Sequence, residues 1–307
     1  MATVAEKNVL IAVIDVSQFY ELSMSSEVQS QVLSFQHCID QITVFINSYL
    51  LSSHCNSVAV ILCHQLGSTL VYPVPNQAEL DEAHPELNKG KYEPIGLMNG
   101  LLRERINQFM LSISENIPAL VSSSTLLSGA LSMSLCYAQR CSREATAGET
   151  IKPRLLVIRA STDAASQHIA TMNCIFAAQK QNIPIDCCAL WEDSSFMQQA
   201  TDITGGIYIK IPEPAGLLQF LLWVFLPDIK SRSSLQLPQS SVVDYRASCF
   251  CDQKLVDTGF VCSVCLAIFC KFTPICPVCQ AHFKLPSLPQ LKSKKKGKSS
   301  SKSKAKQ

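Results

Sequence analysis

The sequence is short of the groups that perform covalent chemistry. It contains no nucleophile–base pair, no Walker phosphate loop, no dinucleotide-binding glycine motif and no paired catalytic carboxylates, so the common enzymatic centres have no residues to be built from. Charge is also scarce: 16% of the 307 residues are Asp, Glu, Lys or Arg, against 47% hydrophobic. A chain of that composition buries a large core and leaves surface for partners to cover. Its longest apolar run, LLQFLLWVFL at 217–226, falls well short of the roughly 20 residues a bilayer span needs. The opening MATVAEK lacks a basic segment followed by an apolar run, so no secretory leader is expected. The chain is therefore expected inside the cell. Cys38, Cys55, Cys63, Cys136, Cys141, Cys174, Cys187 and Cys188 are expected as free thiols.

Cysteine is the residue in surplus. Seven of the fifteen lie within 249–279, including two pairs with two residues between the partners, Cys262/Cys265 and Cys276/Cys279. That spacing lets one tight turn aim two thiolates at one ion, and two such turns complete a tetrahedral sulfur site for zinc. Four sulfurs leave no coordination position for water, so the zinc would be structural.

Charge is unevenly placed. The formal net charge is +2, and the stretch from Lys292 onward carries eight lysines and no acid, which leaves −6 for the remainder. A mildly acidic body with a basic tail argues against a large nucleic-acid face on the folded part. The tail is expected to be disordered and to serve as a nuclear import signal, to which Lys294, Lys295, Lys296 and Lys298 are most alike, as a weak nucleic-acid contact, or simply as a solvated end.

The chain alternates strand and helix patterns over most of its first 225 residues. Residues 8–15 (NVLIAVID) form a continuous apolar run ending in an acid, as in a strand buried on both faces of a parallel sheet. Val28, Val32, Phe35, Ile39, Ile42, Ile46 and Tyr49 repeat at steps of three and four, one face of a helix. Strands follow at 57–64 and, after a tight turn, 68–72. A long surface insertion is expected over 73–100. Next come a helix within 92–117, with Leu101, Ile106, Phe109 and Met110 inward, and a helix over 126–140 capped from the Ser122 to Thr125 cluster. A charged loop over 143–152 leads to a strand at 153–160. A helix at 167–181, a strand at 183–190, a short helix closed by Gly205 and Gly206, a strand at 207–211 and an apolar helix at 214–225 complete the pattern. The helix is apolar nearly all round, and so is expected to be buried on more than one side.

This order predicts an α/β body with a mainly parallel sheet and helices on both faces. The expected division is a body over 1–226, a linker over 227–245, a four-cysteine zinc module over 246–285 and the tail over 286–307.

The body resembles a von Willebrand factor A domain. The carriers are the first strand ending in Asp15-Val16-Ser17, the Ser-Ser-Thr125-Leu-Leu stretch before a helix, and the closing QATDITGGIY ending at Tyr208. Further stretches (FAAQKQNI from Phe176, LLWVFLPD from Leu221, VDYRA from Val243, FVCSVC from Phe260) make the whole chain, in order, resemble the smaller von Willebrand A-type subunits of the general transcription and repair factor TFIIH. The resemblance implies a non-catalytic nuclear core subunit acting in RNA polymerase II initiation and nucleotide excision repair. Its implied partner is a larger TFIIH subunit, itself a von Willebrand A plus RING protein that regulates a helicase. No small-molecule substrate and no membrane are implied.

Two sites follow. Metal-binding von Willebrand A domains use Asp-x-Ser-x-Ser, a Thr from another loop and an Asp after the fourth strand, hard oxygens suited to magnesium. Asp15, Ser17 and Thr125 match, but Phe19 stands at the second Ser and Arg159 replaces an acid-bearing strand end, so this site is expected to be degenerate. In the cysteine region the layout resembles a cross-braced RING. On that reading Cys262, Cys265, Cys276 and Cys279 hold zinc, while Cys249, Cys251 and Cys270 remain as a degenerate second site. A zinc ribbon joining Cys249/Cys251 to Cys262/Cys265 competes with it, and so does a second zinc completed by His282. The other function classes are a magnesium-dependent ligand-binding von Willebrand A protein and a RING-type ubiquitin ligase.

Overall fold

A computed structural model of the chain describes residues 5–17, 35–73, 93–115, 125–146, 148–163, 167–238, 243, 245–252 and 254–283. The predicted helical positions Val28 and Val32, Phe19, Ser122 to Ser124 and the basic tail lie outside these residues.

The centre is β1 (Ala5–Asp15), flanked in parallel by β2 (Asn56–His64) and β4 (Glu149–Arg159). β5 (Ile185–Ala189) and β6 (Tyr208–Lys210) extend the sheet in parallel, and β3 (Gly67–Tyr72) closes the other edge antiparallel to β2. The strand order is β3-β2-β1-β4-β5-β6. The order reverses between β1 and β4, so their carboxyl ends frame the crevice where open α/β sheets place their sites.

The uninterrupted apolar runs reflect burial on both faces. Leu10, Ile14, Val60, Leu62, Leu156 and Ile158 point to one layer, and Val9, Ile11, Val13, Ile61, Leu155 and Val157 to the other. The first layer is covered by α1 (Phe35–Ser52) and α2 (Glu93–Glu115), the second by α3 (Leu127–Glu144), α4 (His168–Lys180) and α5 (Ser195–Thr204). Each fully buried Leu, Ile or Phe contributes about 1.5–3 kcal/mol, so the two interleaved faces of the sheet carry most of the stabilisation.

Several elements differ from expectation. The stretch expected as an insertion up to residue 100 is already helical from Glu93, because Met98 starts the buried stripe Met98, Leu102, Ile106 and Ile113. Leu102, rather than Leu101, points inward. α3 has Leu126 at its N-cap with no side-chain cap bond, since the Thr125 hydroxyl is engaged with Ser161 instead. The charged loop shrinks to 145–148 as α3 runs on to Glu144 and β4 begins at Glu149.

α5 ends as its glycines require. Gly205 is left-handed at φ 73°, where a Cβ is disfavoured. At Gly206 a Cβ would stand 1.9 Å from the Ile185 carbonyl oxygen, so only glycine permits this approach to β5.

The apolar stretch after β6 is one 3-10 turn (Pro214–Gly216), α6 (Leu217–Phe220) and a π turn (Leu221–Phe225). The π turn is marked by the Leu226 N–H donating to the Leu221 carbonyl at 3.0 Å. Leu217, Leu221, Val224 and Phe225 are buried against the first layer, whereas Trp223 is 75% exposed. The helix therefore buries one side and offers an aromatic on the other.

In the stretch read as a linker, Asp228 caps α7 (Ile229–Arg232) by accepting from the Ser231 N–H at 3.0 Å. Arg232 then reaches back and donates to both oxygens of fully buried Asp186 at 2.8 and 2.6 Å. Removing one member of such a pair strands a buried charge at a cost of about 3–5 kcal/mol. The packing of the body thus continues past residue 226.

The cysteine-rich region holds two small hairpins, β7 (Ala247–Ser248) with β8 (Leu255–Val256), and β9 (Phe260–Val261) with β10 (Ile268–Phe269). Its core is Cys262, Ala267, Phe269 and Cys276. So small a core does not hold a fold without a staple.

Candidate metal centres

The sequence repeats itself around the two CxxC pairs: Cys262-Ser-Val-Cys265-Leu-Ala267 and Cys276-Pro-Val-Cys279-Gln-Ala281. The backbone repeats with it. Cys262 N–H donates to the Ala267 carbonyl and Leu266 N–H to the Cys262 carbonyl, both at 2.9 Å; Cys276 with Ala281 and Gln280 with Cys276 do the same at 2.9 Å. Leu266 and Gln280 have φ of 60° and 58°, the left-handed step that brings each chain back on itself after its second cysteine.

These two knuckles face one another. Cys262 and Cys279 have sulfurs 3.6 Å apart, as do Cys265 and Cys276, and all four sulfurs lie within 4.8 Å of each other. A tetrahedral ion with bonds of about 2.3 Å has sulfur–sulfur edges of about 3.8 Å, so the donor set fits. Backbone N–H groups of Cys265 first, and of Val264, hold the Cys262 thiol down to about 6, which favours the thiolate that a metal requires.

Cys249, Cys251 and Cys270 form a separate cluster, and a carboxylate that the cysteine count did not include, Asp252, joins it. The pairing of Cys249/Cys251 with Cys262/Cys265 required by a zinc ribbon does not occur. His282 bridges to Ile275 across the second knuckle and enters neither cluster. The only signal for Asp252 in the sequence is its place directly after Cys251, a feature that counting thiols passes over. Both clusters have the geometry to hold a metal ion.

At the switch point of the sheet the chemistry differs. Asp15 is fully buried at the end of β1. Its carboxylate accepts from the Ser17 N–H at 3.2 Å, the Ala160 N–H at 3.4 Å, the Ser161 N–H at 3.0 Å and the Ser161 hydroxyl. Thr125 is buried beside it, its hydroxyl 2.9 Å from that of Ser161. Ser17 is buried with its hydroxyl oxygen unpartnered. Arg159, also buried, donates to the Ser161 and Thr162 carbonyls at 2.9 and 2.7 Å and to the Ser194 hydroxyl at 2.8 Å. Asp163 pairs with Arg159 at 2.7 Å and accepts from the Ser194 and Ser195 hydroxyls and the Phe196 N–H at 2.6, 3.1 and 3.1 Å. Asp163 is thereby turned to the start of α5. Asp15 meets Ser17 through the Ser17 N–H and Thr125 only by way of the Ser161 hydroxyl, so its oxygens face internal donors, with the Arg159 guanidinium bound to the Ser161 carbonyl. A divalent cation fits such a set poorly.

The fold and the cysteine clusters define the class first: a von Willebrand A-like, mainly parallel α/β body joined to a small module with two metal-compatible clusters. The family profile of "Transcription factor Tfb4" matches residues 7–280, and the chain belongs to that family. It is similar to "General transcription factor IIH subunit 3" of Dictyostelium discoideum, with 40% identity over 267 residues, 84% of this chain and 70% of the relative. It is likewise similar to "General transcription and DNA repair factor IIH subunit tfb4" of Schizosaccharomyces pombe (strain 972 / ATCC 24843), with 37% identity over 278 residues, 90% of this chain and 89% of the relative. Among solved structures, that of the "TFIIH p34 N-terminal Domain" superposes with a TM-score of 0.55 at 28% identity, covering 72% of this chain and 99% of that one. The relatives are named as transcription factor subunits, a non-catalytic family, and the chain is not an enzyme.

Proposed function

We propose that the chain is a scaffold subunit of TFIIH in the nucleus, working in transcription initiation and nucleotide excision repair. In this reading its body docks the larger von Willebrand A/RING subunit that regulates a helicase. The observation that carries the reading is the family match through residues 7–280, which spans the body and both cysteine clusters. The geometry adds a binding surface rather than a reaction centre. Trp223 stands 75% exposed on the apolar helical stretch, beside a groove lined by Phe220, Leu222, Leu235 and Leu237. Exposed aromatics in apolar clefts are the usual anchors of protein interfaces.

The division into a body, which packs on past 226 through Arg232, a shorter linker, a zinc module over 246–285 and a basic tail belongs to the same reading. So does structural zinc at Cys262, Cys265, Cys276 and Cys279, for which the tetrahedral sulfur spacing is the support. The Asp15, Ser17 and Thr125 site is proposed as a relic that binds no magnesium, given the internal donors around Asp15. Zinc held by Cys262, Cys265, Cys276 and Cys279 would have no open coordination position and would supply structure by tying the two knuckles together.

The test is an affinity purification of the N-terminally tagged chain from nuclear extract at moderately high salt, with the co-purifying subunits identified by mass. Near-equal recovery of the larger von Willebrand A subunit together with TFIIH helicases is expected. Recovery of the chain alone, or with ubiquitin-conjugating enzymes, overturns the scaffold reading.

A further inference from the structure

The second cysteine cluster has the makings of a complete site. Cys249 is buried, Cys270 is half-buried, and Cys251 and Asp252 are exposed at the rim. Two backbone bonds fix the loop: the Cys249 N–H to the Lys254 carbonyl and the Phe250 N–H to the Ile268 carbonyl, both at 2.8 Å. The Cys249 sulfur accepts N–H groups from Cys270 at 3.1 Å and Cys251 at 3.4 Å. Backbone N–H groups aimed at a sulfur stabilise its thiolate.

The three sulfurs crowd together. Cys251 lies 2.8 Å from Cys249 and 3.3 Å from Cys270, inside the tetrahedral edge of about 3.8 Å, so a bound ion would spread them. The carboxylate of Asp252 spans the open edge of this triangle, with Oδ1 at 3.7 Å from the Cys251 sulfur and Oδ2 at 3.8 Å from the Cys270 sulfur. For a tetrahedral ion with bonds of about 2.3 Å to sulfur and about 2.1 Å to oxygen, the sulfur–oxygen edge is about 3.6 Å. All four ligand atoms fall within 4.8 Å of one another. Three thiolates and a carboxylate around one point repel unless a cation sits among them, and soft sulfur with one oxygen selects zinc over magnesium or calcium.

We propose that Cys249, Cys251, Asp252 and Cys270 form a second zinc site, with an S3O donor set completed by Asp252. The missing fourth thiolate is then no defect: the acid one residue beyond Cys251 supplies the ligand. Two sites interleave along the chain, with the Cys262 and Cys276 knuckles on one ion and the Cys249 loop and Cys270 on the other. The hairpins between them are pinned at both ends. This site stands whether or not the chain is a TFIIH scaffold.

The experiment is metal analysis of the purified full chain, alongside Asp252→Ala and Asp252→Cys, with cobalt(II) spectra after exchange. Two zinc ions per chain are expected in the wild type, one in Asp252→Ala and two in Asp252→Cys. The second cobalt site should shift in Asp252→Cys from an S3O to an S4 ligand-field spectrum. One zinc per wild-type chain overturns the proposal, as does a disulfide among Cys249, Cys251 and Cys270 found by mass. Two zinc ions retained in Asp252→Ala with an unchanged cobalt spectrum also overturns it, because Asp252 is then no ligand. The co-purification result is independent of each of these outcomes.

Discussion

The apex of the sheet and the cysteine module treat their negative groups in opposite ways. At the apex, both oxygens of Asp15 are taken by N–H and hydroxyl donors of the chain itself, and Arg159 brings a fixed positive charge. In the module the sulfurs look chiefly at one another across 2.8–3.6 Å. A carboxylate whose charge is already answered by internal donors gains little from a cation. The sulfurs receive a few backbone N–H groups, two of them on Cys249, but a ring of thiolates still gains much from a cation at its centre. The body is held by the two buried faces of its sheet, whereas the apolar core cluster of the module holds four buried residues among those described.

The largest expected effect follows from that contrast. Chelation of the full chain should unfold the cysteine module and leave the body folded, since structural zinc contributes on the order of 10 kcal/mol to small domains. Two separate transitions in hydrogen exchange or calorimetry, with only the module's protection lost, are expected; loss of the body's transition in parallel would erase the distinction.

Next in size is Asp15. Asp15→Ala should destabilise the body by about 2–4 kcal/mol, because it orphans several buried donors at once. Magnesium titration should shift the melting temperature of wild type and variant alike by nothing measurable. A saturable shift present in wild type and absent in Asp15→Ala would mean that the apex binds its cation despite Arg159.

The smallest effect lies on the surface of the body. Lys152, foremost, and Lys230 hydrogen-bond Glu6 and hold its carboxyl down to about 2. A depressed carboxyl contributes stability above its ordinary value near 4.5, and that contribution is lost as pH falls toward about 2. Glu6→Gln should flatten the melting-temperature profile between those values, its small loss of stability being greatest at neutral pH and absent near pH 2, and small throughout because the pairs are exposed. Urea midpoints across that range check it.

Much of the body was legible as periodicity. Strands buried on both faces announce themselves as apolar runs, and β1, β2 and β4 did so, while β5 showed one broken only by Asp186. α1 showed its inward face from Phe35 to Tyr49, and the end of α5 was marked by Gly205 and Gly206. α2 falls within the helix expected at 92–117, and only the overlapping insertion reading over 73–100 overran its start, because the residues before Met98 carry no period. α7 was hidden because a four-residue helix capped by Asp228 has too few positions to show one. Arg232 and Asp186 are 46 residues apart, and no local pattern joins them.

The sequence by itself determined which chemistries were open to this protein. It supplied cysteine pairs at metal-ligand spacing, a β1 strand ending in Asp15, and no nucleophile with a base, because spacing along a turn or strand is a local property. Only the tertiary structure decided which thiols meet, that Asp252 joins Cys249, Cys251 and Cys270, and that Arg159 and Ser161 close off Asp15. Those are encounters between segments far apart in the chain. They are set by how the sheet and hairpins pack, and a carboxylate becomes a ligand, a cap or half of an ion pair according to which donor the fold brings within about 3 Å.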